Sequence, residues 1–135
     1  MPTYLADTSA WHRQPQIADR WSRLVERDEI VLCSPVALEL LYSARDAEDY
    51  DRIAGDLDGF VTLPLDVRGE ALARRTQAEL AARGQHHGPS PVDLLIAAIA
   101  EAHGVTLLHY DRHFDAIIKV TGQPAEWLAR RGRLD

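Results

Sequence analysis

An α/β fold, with a central, mostly parallel sheet flanked by helices, is what this 135-residue sequence predicts. Two observations predict it. Short, nearly all-apolar runs recur at Thr3–Ala6, Ile30–Cys33, Phe60–Leu63 and Val105–Leu108, each too brief for a helix, and strands buried on both faces of a sheet read this way. Segments of helical character lie between them, and strand–helix alternation implies parallel pairing through crossover helices.

The helical segments are Ile17–Glu26, Pro35–Ala44, Ala47–Leu57, Val67–Arg83, Pro91–His103 and a last one around Ala125–Arg130. Ser34-Pro35 and Ser90-Pro91 each set a capping hydroxyl before a proline at the first helical position, which marks two helix starts. Gly84-Gln85-His86-His87-Gly88-Pro89 carries turn formers at both ends and separates a long amphipathic helix from the apolar one after it. The length suits one compact domain over residues 1–135, and there is no linker, repeat or low-complexity tract.

Apolar residues make up 46% and charged residues 27% of the chain, a composition able to bury a core. The single cysteine, Cys33, excludes an intrachain disulfide, and its apolar neighbours predict a buried strand thiol suited to a reducing cytoplasm. Met1–Asp7 has no basic leader pattern and no stretch approaches the roughly 20 apolar residues of a membrane span, so a protein neither exported nor inserted is expected. A net charge of -6 argues against a broad basic surface. All fifteen basic residues except Lys119 are arginine, however, and their clustering at Arg74-Arg75, Arg83 and Arg130-Arg131-Gly132-Arg133 allows a local basic face beside an acidic pocket.

Four acids stand where a purely structural plan would not put them. Asp7 directly follows the first strand, at the end of a parallel sheet where ligands bind; it also suits the N-cap of a short helix starting at Thr8. Glu39 interrupts an otherwise apolar helix, and burying a carboxylate costs several kcal/mol unless a cation or strong donors hold it. An exposed position or a pairing with Arg45 is the alternative. Asp93 opens the most apolar helix three residues after Ser90, which is the reciprocal place of a capping box as well as a ligand position. Asp111 follows the strand that ends near Leu108-His109-Tyr110, and Asp115 lies one helical turn further if that segment is helical.

Taken together, two strand-end acids and two acids near helix N-terminal turns can converge on one sheet edge. Clustered carboxylates repel unless protons or cations neutralise them, and they select hard ions, chiefly Mg2+ with Mn2+ as a substitute. No cysteine pair or helical His–Glu motif competes as a zinc site. Such ions polarise a phosphodiester and lower the pKa of bound water, so no side-chain nucleophile is needed.

The runs Tyr4–Trp11, the helix bearing Glu39, Pro91–Ala98 and Leu107–Phe114, with the 18-residue step from Asp93 to Asp111, resemble the successive motifs of PIN-domain toxins of the VapC family. The resemblance spans nearly the whole chain. It implies a PIN-like α/β/α sandwich, a Mg2+-dependent endoribonuclease that leaves a 5′-phosphate and a 3′-hydroxyl, a homodimer, and inhibition by a cognate VapB antitoxin. By position it makes Asp7, Glu39, Asp93 and Asp111 the acidic quartet that binds metal and catalyses, with Ser9 ordering the site behind Asp7. Asp115 becomes a candidate supporting or fifth ligand, and Arg112 a candidate for holding RNA phosphate. His109 departs from the family pattern, where a small hydroxyl or amide residue is commoner.

Other features carry less. His86-His87 is a loop pair without a third ligand in sequence, and Trp11, Trp21 and Trp127 read as packing or interface residues, Trp11 being a candidate antitoxin contact. A haloacid-dehalogenase-like phosphatase wants a second Asp two residues after Asp7, where Ser9 stands. A receiver-type signalling domain has Lys119 available but gives Glu39 and Asp93 no role. A non-catalytic domain of the same fold would lack one of the four acids, and none is lacking.

Overall fold

The computed structural model describes residues 3–135. Five strands, β1 (Tyr4–Ala6), β2 (Ile30–Cys33), β3 (Thr62–Leu63), β4 (Thr106–His109) and β5 (Ala125–Trp127), form one sheet in the order β3-β2-β1-β4-β5. Every neighbouring pair is parallel; Leu5, for example, pairs with Val31 on one side and Leu107 on the other. The chain builds outward from β1 to β3, then returns and builds outward again through β4 and β5. The reversal falls between β1 and β4, and in an open parallel sheet the crevice outside the carboxyl ends at such a switch point is where ligands bind.

Seven α-helices are seen among the described residues: α1 (Thr8–Arg13), α2 (Ala18–Glu26), α3 (Ser34–Tyr42), α4 (Ala47–Leu57), α5 (Val67–Ala82), α6 (Pro91–His103) and α7 (His113–Thr121). They cover both faces of the sheet. Leu5 and Leu107 pack with Val36, Leu80, Ile96, Ile99, Phe114 and Ile117 on one face, while Ala6 and Leu108, one residue on, pack with Ala10, Trp21, Leu24 and Leu128 on the other. That alternation is the two-residue period of a strand, and it makes an α/β/α sandwich. Burying each large apolar side chain stabilises the fold by roughly 1.5–3 kcal/mol relative to exposure. Trp11 sits edge-on to Trp21 and Phe60, at 4.9 and 5.1 Å between ring centroids, so it packs between helix and loop.

Several sequence expectations are met closely. α4 and α6 have the predicted bounds, Gly84–Pro89 forms turns, and Cys33 is a buried free thiol. Three details differ. The stretch Ala125–Arg130, expected to be helical, instead forms β5 and then turns: six residues are too few for a self-supporting helix, and the edge of β4 offers backbone partners that Pro124 and Leu128 take up. Ser34 does not cap α3; it lies inside the helix, Cys33 occupies the cap position, and no side chain makes the cap bond. The third strand shortens to Thr62–Leu63, though the Val61 carbonyl still accepts from the Leu32 N–H at 2.8 Å.

Candidate functional site

The four acids reach the carboxyl edge of the sheet for separate local reasons. Asp7 leaves β1 with its N–H bonded to the Leu108 carbonyl at 3.0 Å, which ties the end of β1 to the end of β4. Glu39 lies on the helix that starts directly after β2. Asp93 stands in the first turn of α6, which runs back toward the start of β4 and so begins at the carboxyl edge. Asp111 follows β4 and leads into α7.

Each carboxylate is held through one oxygen. Asp7 Oδ1 accepts from the Ser9 hydroxyl at 2.7 Å and from the Ala10 N–H at 3.2 Å. Thr8 donates to Glu39 Oε1 at 2.6 Å, so the donor is a hydroxyl from α1, while Arg45 pairs with Asp49 and does not meet Glu39. Asp93 Oδ2 accepts from the Ser90 N–H at 3.0 Å and the Ser90 hydroxyl accepts from the Asp93 N–H at 3.1 Å, a complete capping box. Asp111 Oδ1 takes the His113 N–H at 2.9 Å and faces the His113 ring at 3.2 Å. The second oxygens of all four make no hydrogen bond among the described residues.

Ser9 does more than hold Asp7. Its hydroxyl also accepts from the Tyr110 N–H at 2.8 Å, joining the site acid after β1 to the backbone after β4. His109, fully buried, accepts the Asp111 N–H through Nδ1 at 3.3 Å and packs against Phe114 and Trp127. Burial depresses its pKa, and its ring supports the turn carrying Asp111. Asp115 turns to Arg131, at 3.6 Å. His86 and His87 stack on each other in their loop, at 4.0 Å between centroids.

Electrostatics couple the acids. Asp7 is 3% exposed, and burial pushes its carboxyl up to about 7 against the lowering effect of Ser9 and Ala10, with repulsion from Asp93 adding to the rise. Asp93 is raised as well, first by burial and then by Asp111 and Glu39. Burial, with Asp7 and Glu39 nearby, lifts the Cys33 thiol to about 11, which keeps it neutral. No arginine or lysine pairs with Asp7, Glu39 or Asp93 among the described residues.

A PIN-domain family model matches residues 4–120. The chain belongs to the PIN-domain family. This PIN domain is 43% identical over 97% of its length to the ribonuclease VapC18 of Mycobacterium tuberculosis, covering 98% of that protein. It is 37% identical to ribonuclease VapC51 of the same organism, with 98% and 97% covered. Its fold matches chains in the DNA-bound VapBC crystal structure from Salmonella typhimurium, with a TM-score of 0.74 over 96% of this chain and 100% of that one, at 20% identity. The VapBC2 structure from Rickettsia felis gives 0.76 over 93% and 98%, at 18% identity.

PIN-domain ribonucleases as a group depend on metal ions. The donor set of this PIN domain fits a hard divalent cation: four carboxylates, each with one oxygen fixed by the protein and one left over, and Asp7 buried without a basic partner. No three of the acids stand close enough to enclose an ion as they are, among the described residues. Their charges act on one another through Asp93, whose carboxyl Asp111 and Glu39 raise and whose charge raises Asp7 in turn.

Two unlike grooves flank this edge. One, of about 880 Å³, is walled by Leu38, Tyr42, Leu65, Val92 and Leu95 and is also lined by Thr8 and Glu39. Leu38 and Tyr42 are 65% and 92% exposed, an unusual placing for large apolar side chains. The other groove lies beyond Asp111 and is lined by basic residues of α7 and the C-terminal tail.

Proposed function

We propose that this PIN domain is a metal-dependent endoribonuclease and the toxin half of a toxin–antitoxin pair. The observation that carries the reading is the acidic quartet at the sheet's switch point, left among the described residues without an arginine or lysine partner in a chain that has fourteen arginines and pairs several of them elsewhere. The ribonuclease names of full-length relatives support the activity. In this reading residues 1–135 are one domain acting in the cytoplasm as a homodimer, and no helix of the described residues is long and apolar enough to cross a membrane.

Asp7, Glu39, Asp93 and Asp111 would hold Mg2+, or Mn2+ in its place. The bound ion supplies a Lewis acid for the phosphodiester and a nucleophilic hydroxide from water near neutral pH. The protein's own part is positional. Ser9 fixes Asp7 and the Tyr110 backbone together, and Thr8 fixes Glu39. Ser90 fixes Asp93, so one oxygen caps α6 while the other stays available. Asp115 pairs with Arg131, and Arg112 contacts RNA phosphate beside Asp111. The products are a 5′-phosphate and a 3′-hydroxyl.

The apolar groove is the natural seat for a VapB-type antitoxin segment, with Leu38, Tyr42 and Leu95 as its contacts. An apolar segment there would pass directly over Glu39, coupling partner binding to occlusion of the acids.

Cleavage of a mixed RNA pool tests the activity. With Mg2+ the wild type cuts; EDTA stops it. Asp93→Asn keeps the shape and much of the capping capacity but removes a charged ligand, and its cleavage falls by roughly a hundredfold or more. Undiminished cleavage by Asp93→Asn, or by the wild type in EDTA, would reject the proposed centre.

A further inference from the structure

We infer that the groove beyond Asp111 is the site that holds the RNA backbone next to the cut, with Arg112, Lys119 and Arg131 as its phosphate contacts; this rests on the ribonuclease reading above. The groove encloses about 490 Å³ between the Gln85–Pro89 loop, one side of α7 and the tail at Arg131. Arg112, Asp115, Ala116 and Lys119 are spaced at three and four residues, so they form one stripe along α7 facing the groove. A second cavity, of about 240 Å³, shares Arg112 and Arg131 with the first and reaches Asp111. Arg112 and Arg131 thus stand between the groove and Asp111, with Asp135 as the further acid of the smaller cavity.

Charge complementarity selects the occupant. Overall the chain carries a net charge of -6, so a polyanion approaching four carboxylates meets repulsion over most of the surface. Here three full positive charges line one groove, opposed by Asp115 alone. Arg112 and Lys119 have no ion pair among the described residues and are exposed, so both remain free to take up phosphates.

Arg131 is held in place, although its segment has no regular secondary structure. Buried Leu134 fastens the tail: its N–H donates to the Tyr110 hydroxyl at 2.7 Å, and its carbonyl accepts from Arg13 and from Gln16. Arg20 likewise donates to the Leu128 carbonyl. Between these anchors Arg131 lies over the Trp127 ring at 5.7 Å and beside Asp115. Tyr110 thus binds the tail with its hydroxyl and Ser9 with its N–H, which sets the arginine in register with the acids.

The test uses the full chain and a short fluorescent RNA pool. Binding is followed by anisotropy in EDTA across a salt series, and KM and kcat are measured with Mg2+. Each of Arg112→Ala, Lys119→Ala and Arg131→Ala should lower the slope of log affinity against log salt by about 0.7, the value expected per phosphate contact on a single strand. The triple variant should lower it by about two on the same scale. With Mg2+ the same variants raise KM and largely keep kcat. Asp115→Asn should act in the opposite direction and tighten binding, an effect that lost structure does not produce. Arg27→Ala and Arg68→Ala are the matched controls: Arg27 ends α2, and Arg68 bonds the Ala102 carbonyl, far along α6 from Asp93. Unchanged slopes and KM in the three variants, in a wild type that binds and cuts RNA, overturn this inference alone. A wild type that neither binds nor cuts the pool defeats both this inference and the ribonuclease reading.

Discussion

Asp49 and Asp7 show how differently one chain treats its acids. On the surface of α4, Asp49 is gripped by Arg52 at 2.6 Å and by Arg45 through its N–H at 3.1 Å, and these partners, Arg52 first, bring its carboxyl down to about 2. At the end of β1, Asp7 is buried with only hydroxyl and amide donors, and its carboxyl rises to about 7. The arginine supply is ample, yet none is spent on Asp7, Glu39 or Asp93. Asp49 is neutralised by the protein itself, whereas Asp7 is left for a counter-charge from outside.

The largest expected consequence concerns stability against pH. Asp7 binds its proton more tightly in the folded chain, at about 7, than an ordinary aspartate does, so its contribution is fully present below pH ~4 and is lost as pH rises through 7. Roughly three pKa units correspond to about 4 kcal/mol as an upper figure. Urea unfolding of EDTA-treated protein should therefore show stability falling across this range more steeply than in Asp7→Asn. Mg2+ should restore stability at the upper end, by about 2.7 kcal/mol at a hundred times its dissociation constant. Parallel pH profiles of wild type and Asp7→Asn would remove the contrast with Asp49.

A smaller effect is expected at Ser9. Ser9→Ala leaves the Tyr110 N–H and one Asp7 oxygen without their shared partner, at a cost of about 1–3 kcal/mol, read from the urea midpoint. The smallest belongs to Asp49. Asp49→Asn should leave the midpoint at neutral pH almost unmoved, because exposed ion pairs are screened and flexible. Its pH effect has the opposite sign: a lowered carboxyl stabilises above pH ~4 and loses that contribution as pH falls toward 2.

Much of this was legible in the residues. The apolar runs place four of the five strands, and Ser90-Pro91 fixes the start of α6, because local chemistry alone decides them. The acids emerge because Asp7 and Asp111 follow strands and Glu39 and Asp93 stand on otherwise apolar helices. Cap and ligand are compatible roles for Asp93, because a carboxylate has two oxygens and the capping box occupies only one. What stayed hidden depends on distant partners. Glu39 takes Thr8, 31 residues away, and β5 exists because the edge of β4 needs a neighbour. The basic groove joins a loop, a helix and a tail that nothing in their spacing connects.

Calorimetric titration of Mn2+ into the metal-free protein tests the central claim most directly, with Asp7→Asn, Asp93→Asn and Asp49→Asn alongside. Binding by the wild type and by Asp49→Asn, weakened at least tenfold in both Asp7→Asn and Asp93→Asn, is the predicted result. Equal binding by all four proteins, or no binding by the wild type, would contradict a cation site at the switch point.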